Sequence, residues 1–282
     1  MRINTNVSSL NAQESATTTN NALKSSLEKL SSGLRINKAA DDASGLAIAD
    51  KLRTQVTSIN QATDNGNSAI SLLQIADKSM SEQSNILDTI KAKLIQANTD
   101  TTSDDGRESI RKDINKLLVQ LDNIAKSTNY NGTQLISNDT ADGASTALDF
   151  QIGEDATTGG TISLGAINAN TTGLALTTLS GLAASGLTKT VAEAQQTVVD
   201  AAITTLNGYR GDIGSTQNQV ESAVTNLMTQ STNLAAAESV IRDVDYAQES
   251  ANFNKQNIIA QAGSYAISQA NTVQQNVLKL LQ

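Results

Sequence analysis

From Ile59 onward, apolar residues return every third or fourth position: Ile59, Ala62, Gly66, Ala69, Leu73, Ala76, Met80, Leu87, Ile90 and Leu94, with Gln83 as the polar exception. That recurrence places one stripe on one face of a helix for about ten turns. A second stripe runs through Ile213, Val220, Val224, Leu227, Ser231 and Leu234, with Ile241 one heptad beyond. A spacing of about 3.5 residues lets two such helices face each other as a coiled coil with a gentle left-handed supercoil. A shorter helix from Glu108 to Ala125 carries Ile110, Ile114, Leu117, Leu121 and Ile124, after a turn signalled by Asp104-Asp105-Gly106. Between about Ser127 and Lys189 the pattern changes. Asn131-Gly132 sits where a tight turn belongs, while LDFQIG (Leu148 to Gly153) and GTISLGAI (Gly160 to Ile167) alternate as in a half-buried hairpin. From Gly132 to Leu187 acids stand at Asp139, Asp142, Asp149, Glu154 and Asp155 without any Lys or Arg, so this stretch is expected to be the most exposed.

The two ends pose a sharper problem. From Ser250 to Gln282 only Lys255 and Lys279 are charged, yet Ile259, Ala262, Ala266, Ala270, Val273, Val277 and Leu280 trace a helical stripe. Near the start, Leu23, Leu27, Leu30 and Leu34 follow Val7 and Leu10 in the same way. Burying one Leu, Ile or Val contributes roughly 1.5 to 3 kcal/mol, while ordering each residue costs about 1 to 2 kcal/mol of backbone entropy. With so much Ala in the stripe, a single pair of such helices comes out near zero. Both ends are therefore expected to be loosely ordered in a solitary chain and to fold when copies pack together.

Composition supports long, thin seams. Among 282 residues there is no Trp, and Phe and Tyr total six, so the large side chains that dominate compact cores are nearly missing. Pro is absent, which permits long unbroken helices. Cys is absent too, so neither disulfides nor thiolate metal sites are available. A net charge of −8 argues against nucleic acid, whose phosphates need a basic face. No run of 18 apolar residues and no apolar leader segment occurs, so neither a membrane span nor processing by the general secretory route is expected.

Catalytic chemistry finds no foothold. With no His, the commonest general base and metal ligand is missing, along with every Ser-His triad. Asp41-Asp42 and Asp104-Asp105 are sequence neighbours, which do not point the same way on a helix, so they read as solvated turn carboxylates. RDVDYAQE (Arg242 to Glu249) lacks the carboxylate spacing and the glycine of a calcium hand. Gly159, Gly160 and Gly165 fit no phosphate-binding loop. No enzyme, cofactor or metal site is read.

What remains is LSSGLRINKAADDASGLAIADKLR (Leu30 to Arg53), a short joint dense in charge, Gly and small residues between two helical patterns. Together with the earlier MRINTN and the C-terminal VIRDVDYAQESANFNKQNIIAQAGSYAISQANTVQQNVLKLLQ, it strongly resembles bacterial flagellin, the subunit of the flagellar filament. The resemblance extends through the hairpin stretch, after which the chain passes almost directly into TVAEAQQTVVDAAITTLNGYRGDIG. The variable outer domains of larger flagellins are missing, which makes this a short form.

The resemblance implies a mainly α fold: an elongated antiparallel helical coiled-coil bundle with a small β-hairpin region, whose terminal helices form a second coiled-coil layer on assembly. Residues 1–43 with 242–282 would form the inner tube, and 44–241, with a hairpin insert near 128–188, the outer layer. The joint from Arg35 to Asp42 corresponds to the family's link between layers, with Gly33 and Gly45 easing the chain's direction. Leu30, Leu34, Arg35, Ile36, Asp41, Asp42, Ile259, Val273, Val277 and Leu280 are the expected polymerisation and joint residues. The implied partners are other copies of the chain in a homopolymer, an export chaperone on roughly Ala251 to Gln282, and filament cap and hook-junction proteins. The implied location is outside the cell, in the bacterial flagellum filament, reached through flagellum-specific export. The alternative is a hook-filament junction protein of the same family. Many flagellins also carry a segment like L-Q-R-V-R-E-L-S-V-Q that Toll-like receptor 5 grips. Here it reads LDTIKAKLIQ (Leu87 to Gln96), with Thr89 for the family's Arg, Lys93 for its Leu, Gln96 matching, and Asp113 for a nearby Glu. Losing an Arg fork and an apolar anchor implies weak or no recognition by that receptor.

Overall fold

The computed structural model describes residues 5–137, 147–153 and 159–281, with side chains of the last helix described as far as Asn276. In chain order the elements are α1 (Val7–Ser32), α2 (Ala43–Ala97), α3 (Asp104–Ser127), β1 (Asn129–Tyr130), β2 (Thr133–Gln134), β3 (Leu148–Gln151), β4 (Thr161–Leu164), α4 (Thr177–Ser180), α5 (Lys189–Arg242) and α6 (Tyr246–Leu281). The chain divides into two compact units, Met1–Val56 with Thr232–Gln282, and Thr57–Ser231. The divisions fall within α2 and α5, so each unit takes part of both long helices.

Within Thr57–Ser231 the long stripe of α2 is buried at all eleven positions from Ile59 to Leu94. Successive contacts run in opposite order along α2 and α5: Asp100 with Lys189, Asp77 with Arg210, Asn60 with Ser231. The two are therefore antiparallel. The stripe of α5 is buried at Ile213, Val220 and Val224 but only half-buried at Leu227 and Ser231. Gly66 sits where an added Cβ would come within 2.4 Å of Val224 Cγ2, so its missing side chain makes room for Val224. α3 lays Ile110, Ile114, Leu118, Leu121 and Ala125 against this core, leaving Leu117 and Ile124 at its margin. Its start is capped by Ser103 Oγ, which accepts from the Gly106 N–H at 3.2 Å, and Asp104 and Asp105 suit the helix dipole there. Gln83, the polar member of the stripe, is fully buried; its Nε2 donates to the carbonyls of Leu121 at 3.2 Å and Ala169 at 2.9 Å.

Asn131 (φ 51°) and Gly132 (φ 82°) form the tight turn between β1 and β2, and β3 pairs antiparallel with β4, Leu148 opposite Leu164. The reading of 132–187 as the most exposed stretch is corrected. Leu135, Ile136, Ile152, Leu164, Ile167, Leu174, Leu176, Leu179 and Leu187 are all buried, most of them in the same core as α2 and α3. Asp149 is exposed, while Asp139, Asp142, Glu154 and Asp155 lie outside the described residues.

In the other unit, α1 and α6 are continuous helices. Asn6 lies beside Ala270 and Ala16 faces Gly263, so the pair is antiparallel. Rows at alternating three- and four-residue spacing are covered, Ser9, Ala12, Ala16, Thr19, Leu23, Ser26 and Leu30 on α1 and Phe253, Gln256, Ala260, Gly263, Ile267, Ala270 and Gln274 on α6, with Ala22, Ser25, Glu28, Lys29, Glu249 and Ser250 also half-buried. Both rows follow a strict heptad alternation, and most members are small, which brings two backbones close while burying little apolar surface.

Candidate assembly surfaces

Residues Gly33 to Gly45 fold into a clip against the start of α6. Leu34 makes a β-bridge with Asp243, the Val244 N–H donates to the Gly33 carbonyl at 3.0 Å, and the Arg35 N–H donates to the Arg242 carbonyl at 2.6 Å. Arg35 Nη2 adds a bond to the Ile241 carbonyl, also 2.6 Å. Gly33 holds φ at 74°, and an added Cβ would meet Tyr246 Oη at 2.9 Å. Only glycine satisfies both demands. Gly45 lies inside α2 and serves by space instead of direction: a Cβ there would stand 2.8 Å from Ile36 Cδ1, and Ile36 is buried.

Carboxylates tie the turns. Asp41 Oδ2 accepts from the backbone N–H groups of Lys38 at 3.0 Å and Asn37 at 3.1 Å, which holds its carboxyl below the ordinary value. Asp42 Oδ1 accepts from Gly45 and Ser44 and so caps α2. Lys38 bridges to Glu28 at 2.6 Å, which raises the ammonium pKa, though both partners are well exposed and such a pair adds little stability. Asp245 Oδ1 caps α6 through Ala247 and Gln248, and Asp243 accepts from Ser239 Oγ. Leu30 and Leu34 are half-buried in this region.

Beyond the clip, the pair leaves a second apolar face uncovered. Ile258 is 68% and Tyr265 75% exposed on α6, and Ile259, Ala262, Ala266 and Val273 are exposed beside them. Val7, Leu10 and Leu27 do the same on α1. Of the expected C-terminal stripe, Ala270 alone among the described side chains belongs to the covered row; those of Val277 and Leu280 lie outside the described residues. Leu23, Leu30 and Ala270 of the seam belong to the rows that apolar spacing reveals, while its Ser, Thr, Gly and Gln members carry no such signal.

In the central unit, Leu87 is fully buried, Thr89 is exposed, and Gln96 is exposed with its carbonyl accepting from Thr102 Oγ1. Lys93 Nζ reaches Asp113 Oδ2 at 2.9 Å, and this cation holds the Asp113 carboxyl below its ordinary range. Among the described residues no three His, Cys, Asp or Glu side chains gather to hold a metal, and no helix is long and apolar enough to cross a membrane.

A finished helical core, with both chain ends returned as one thin pair whose outer face stays greasy, defines a subunit completed by neighbours. Residues 3–141 match the bacterial flagellin N-terminal helical region and residues 196–281 the C-terminal helical region. Flagellin of Bacillus subtilis is 37% identical over 303 aligned positions that cover all of both chains. A flagellar filament 30.7 kDa core protein of Treponema maltophilum is 35% identical, again over the whole of both. The crystal structure of Bacillus cereus flagellin is similar at a TM-score of 0.51 and 30% identity, covering 62% of this chain and 94% of that one. The chain belongs to the bacterial flagellins, and is of short size.

Proposed function

We propose that this chain is the repeating structural subunit of a flagellar filament, working by assembly rather than catalysis and residing outside the cell. The observation that carries the reading is the uncovered face of the α1–α6 pair, where Ile258, Ile259, Tyr265 and Val273 stand in water. Copies packing around those faces would bury them, the terminal pairs forming an inner layer and residues 44–241 a surrounding one. The test is Ile259→Ser combined with Tyr265→Ser. Its far-UV circular dichroism and melting should match the parent, while seeded elongation of purified protein fails. Normal elongation would overturn the proposal, and polymers limited to a few subunits in the parent would instead favour a junction protein.

The clip is the second working part. Arg35→Ala with Asp41→Ala removes two fastenings of the joint, so export should proceed and polymerisation suffer; filaments of ordinary length would refute this. Until assembly, the bare face of Ala251 to Gln282 would need cover, for which a dedicated export chaperone is the natural candidate, together with cap and hook-junction proteins at the ends. Binding of that chaperone to a chain cut before Ala251 would sink the assignment. At Leu87 to Gln96, Thr89 and the Lys93–Asp113 ion pair offer Toll-like receptor 5 neither an Arg fork nor an apolar anchor. Weak activation is expected, and strong signalling by purified monomer would contradict it.

A further inference from the structure

We propose that Asn131 is a site of spontaneous deamidation and isoaspartate formation, and the only one of the chain's three Asn-Gly pairs at which this chemistry proceeds in the folded protein. The pairs are Asn65-Gly66, Asn131-Gly132 and Asn207-Gly208. The reaction needs the backbone nitrogen of the glycine to lose its proton and attack the side-chain amide carbon of the preceding asparagine. A C–N bond closes the succinimide ring, the C–N bond to the side-chain nitrogen breaks, and ammonia leaves. Water then adds to one of the two ring carbonyls, and opening gives aspartate or isoaspartate, with no oxidant or reductant involved. Glycine favours attack because no Cβ crowds its nitrogen.

Two of the pairs are shut off by their helices. Gly66 lies within α2 and Gly208 within α5, where each backbone N–H is committed to the carbonyl four residues earlier and the backbone is held in one conformation. Gly66 is also pressed against Val224. Gly132 differs on each count. It sits in the two-residue turn between β1 and β2, it and Asn131 are exposed, nothing lies within 4 Å of the position a Cβ would take, and its N–H has no backbone acceptor among the described residues. Both flanking strands have only two residues, so little resists the turn's opening to the geometry of attack.

The two products differ in consequence. Aspartate suits the same turn, since Asp-Gly is itself a preferred pair there. Isoaspartate inserts a methylene into the backbone of a two-residue loop whose length sets the strand register. The register matters because Leu135 and Ile136, immediately after β2, are buried in the core. Isoaspartate should therefore loosen the anchoring of this segment where aspartate does not.

The test ages the full-length chain in mildly alkaline buffer, then combines peptide mass spectrometry with isoaspartyl methyltransferase labelling. Expected is conversion at Asn131 at least several-fold above that at Asn65 or Asn207, with none in Asn131→Gly, a variant whose Gly-Gly turn keeps the backbone shape. Asn131→Asp should melt like the parent, whereas the aged isoaspartate fraction should show faster amide exchange at Leu135 and Ile136. Equal conversion at all three pairs would overturn the proposal. So would an intact Asn131 after the same segment, as a free peptide, has reacted.

Discussion

In Thr57–Ser231, Leu73, Met80, Leu87, Ile90 and Leu94 of α2 are sealed by α3 and α5, whereas in the α1–α6 pair Ile258, Ile259, Tyr265 and Val273, residues of similar size, remain in water. Both regions obey helical periodicity, and both pair antiparallel helices. They differ in what fills the seam. Leu, Ile and Met across three helices close one; a seam in which Ala, Ser, Thr and Gly outnumber Leu23, Leu30, Phe253 and Ile267, across only two helices, leaves the other half-covered. Hydropathy alone therefore does not say whether a stripe is a core or a contact waiting for a neighbour; the number of helices that reach it does.

Substitution should expose the difference most clearly in the sealed core. Leu118→Ala should cost about 2 to 5 kcal/mol through lost burial and a cavity, while Ile259→Ala should change the melting of the solitary chain by less than about 0.5 kcal/mol. Thermal and denaturant unfolding of the two variants would measure both. A comparable loss at Ile259 would erase the distinction between the regions.

Helical glycines give a sharper contrast. At Gly66 an added methyl collides with Val224, so Gly66→Ala should lose roughly 1 to 3 kcal/mol from overpacking, less up to about 1 kcal/mol of helix propensity. At Gly263 the same methyl would touch Ala16 Cβ at 3.8 Å, an ordinary contact, so Gly263→Ala should gain up to about 1 kcal/mol. Opposite signs in one pair of melting curves are the expected result.

Acid should affect the central unit through its docked segment. Glu108 accepts two bonds from the Arg111 guanidinium and one from the Ser185 N–H, which lower its pKa from 4.5 to about 2. Because the folded value is depressed, this contribution is complete above the ordinary carboxylate range. It fades as pH falls from about 4.5 through about 2. Amide exchange near Ser185 should rise over that interval in the parent, and Glu108→Gln should show the acid form's exchange throughout. The effect is the smallest of these, since the pair stays partly open to solvent, which screens it.

Much of this was legible in the residues. The α2 row from Ile59 to Leu94 read correctly because a stripe of ten turns has only one way to be buried. Asn131-Gly132 announced its turn, and LDFQIG and GTISLGAI their hairpin pairing, through local chemistry. The burial of 132–187 did not show, since a stretch without cations looks alike whether it is in water or folded onto a bundle. Gln83 looked like a blemish in an apolar stripe because the carbonyls of Leu121 and Ala169 that accept from its Nε2 come from distant parts of the chain. The clip was located, but its bridge between Leu34 and Asp243 joins residues two hundred positions apart, which no periodicity reveals.

Small residues along part of the seam have a consequence for alignment. Where Ser9, Ala12, Ala16 and Thr19 line it, few side chains own a unique hole, and the larger Leu23, Leu30, Phe253 and Ile267 mark the register. The pair is also fastened toward its extremities, by Asn6 Nδ2 to the Ala270 carbonyl at one and the Leu34–Asp243 bridge at the other. Changes midway along the pair can be absorbed locally, but a change at either fastening shifts the outward face of the whole rod.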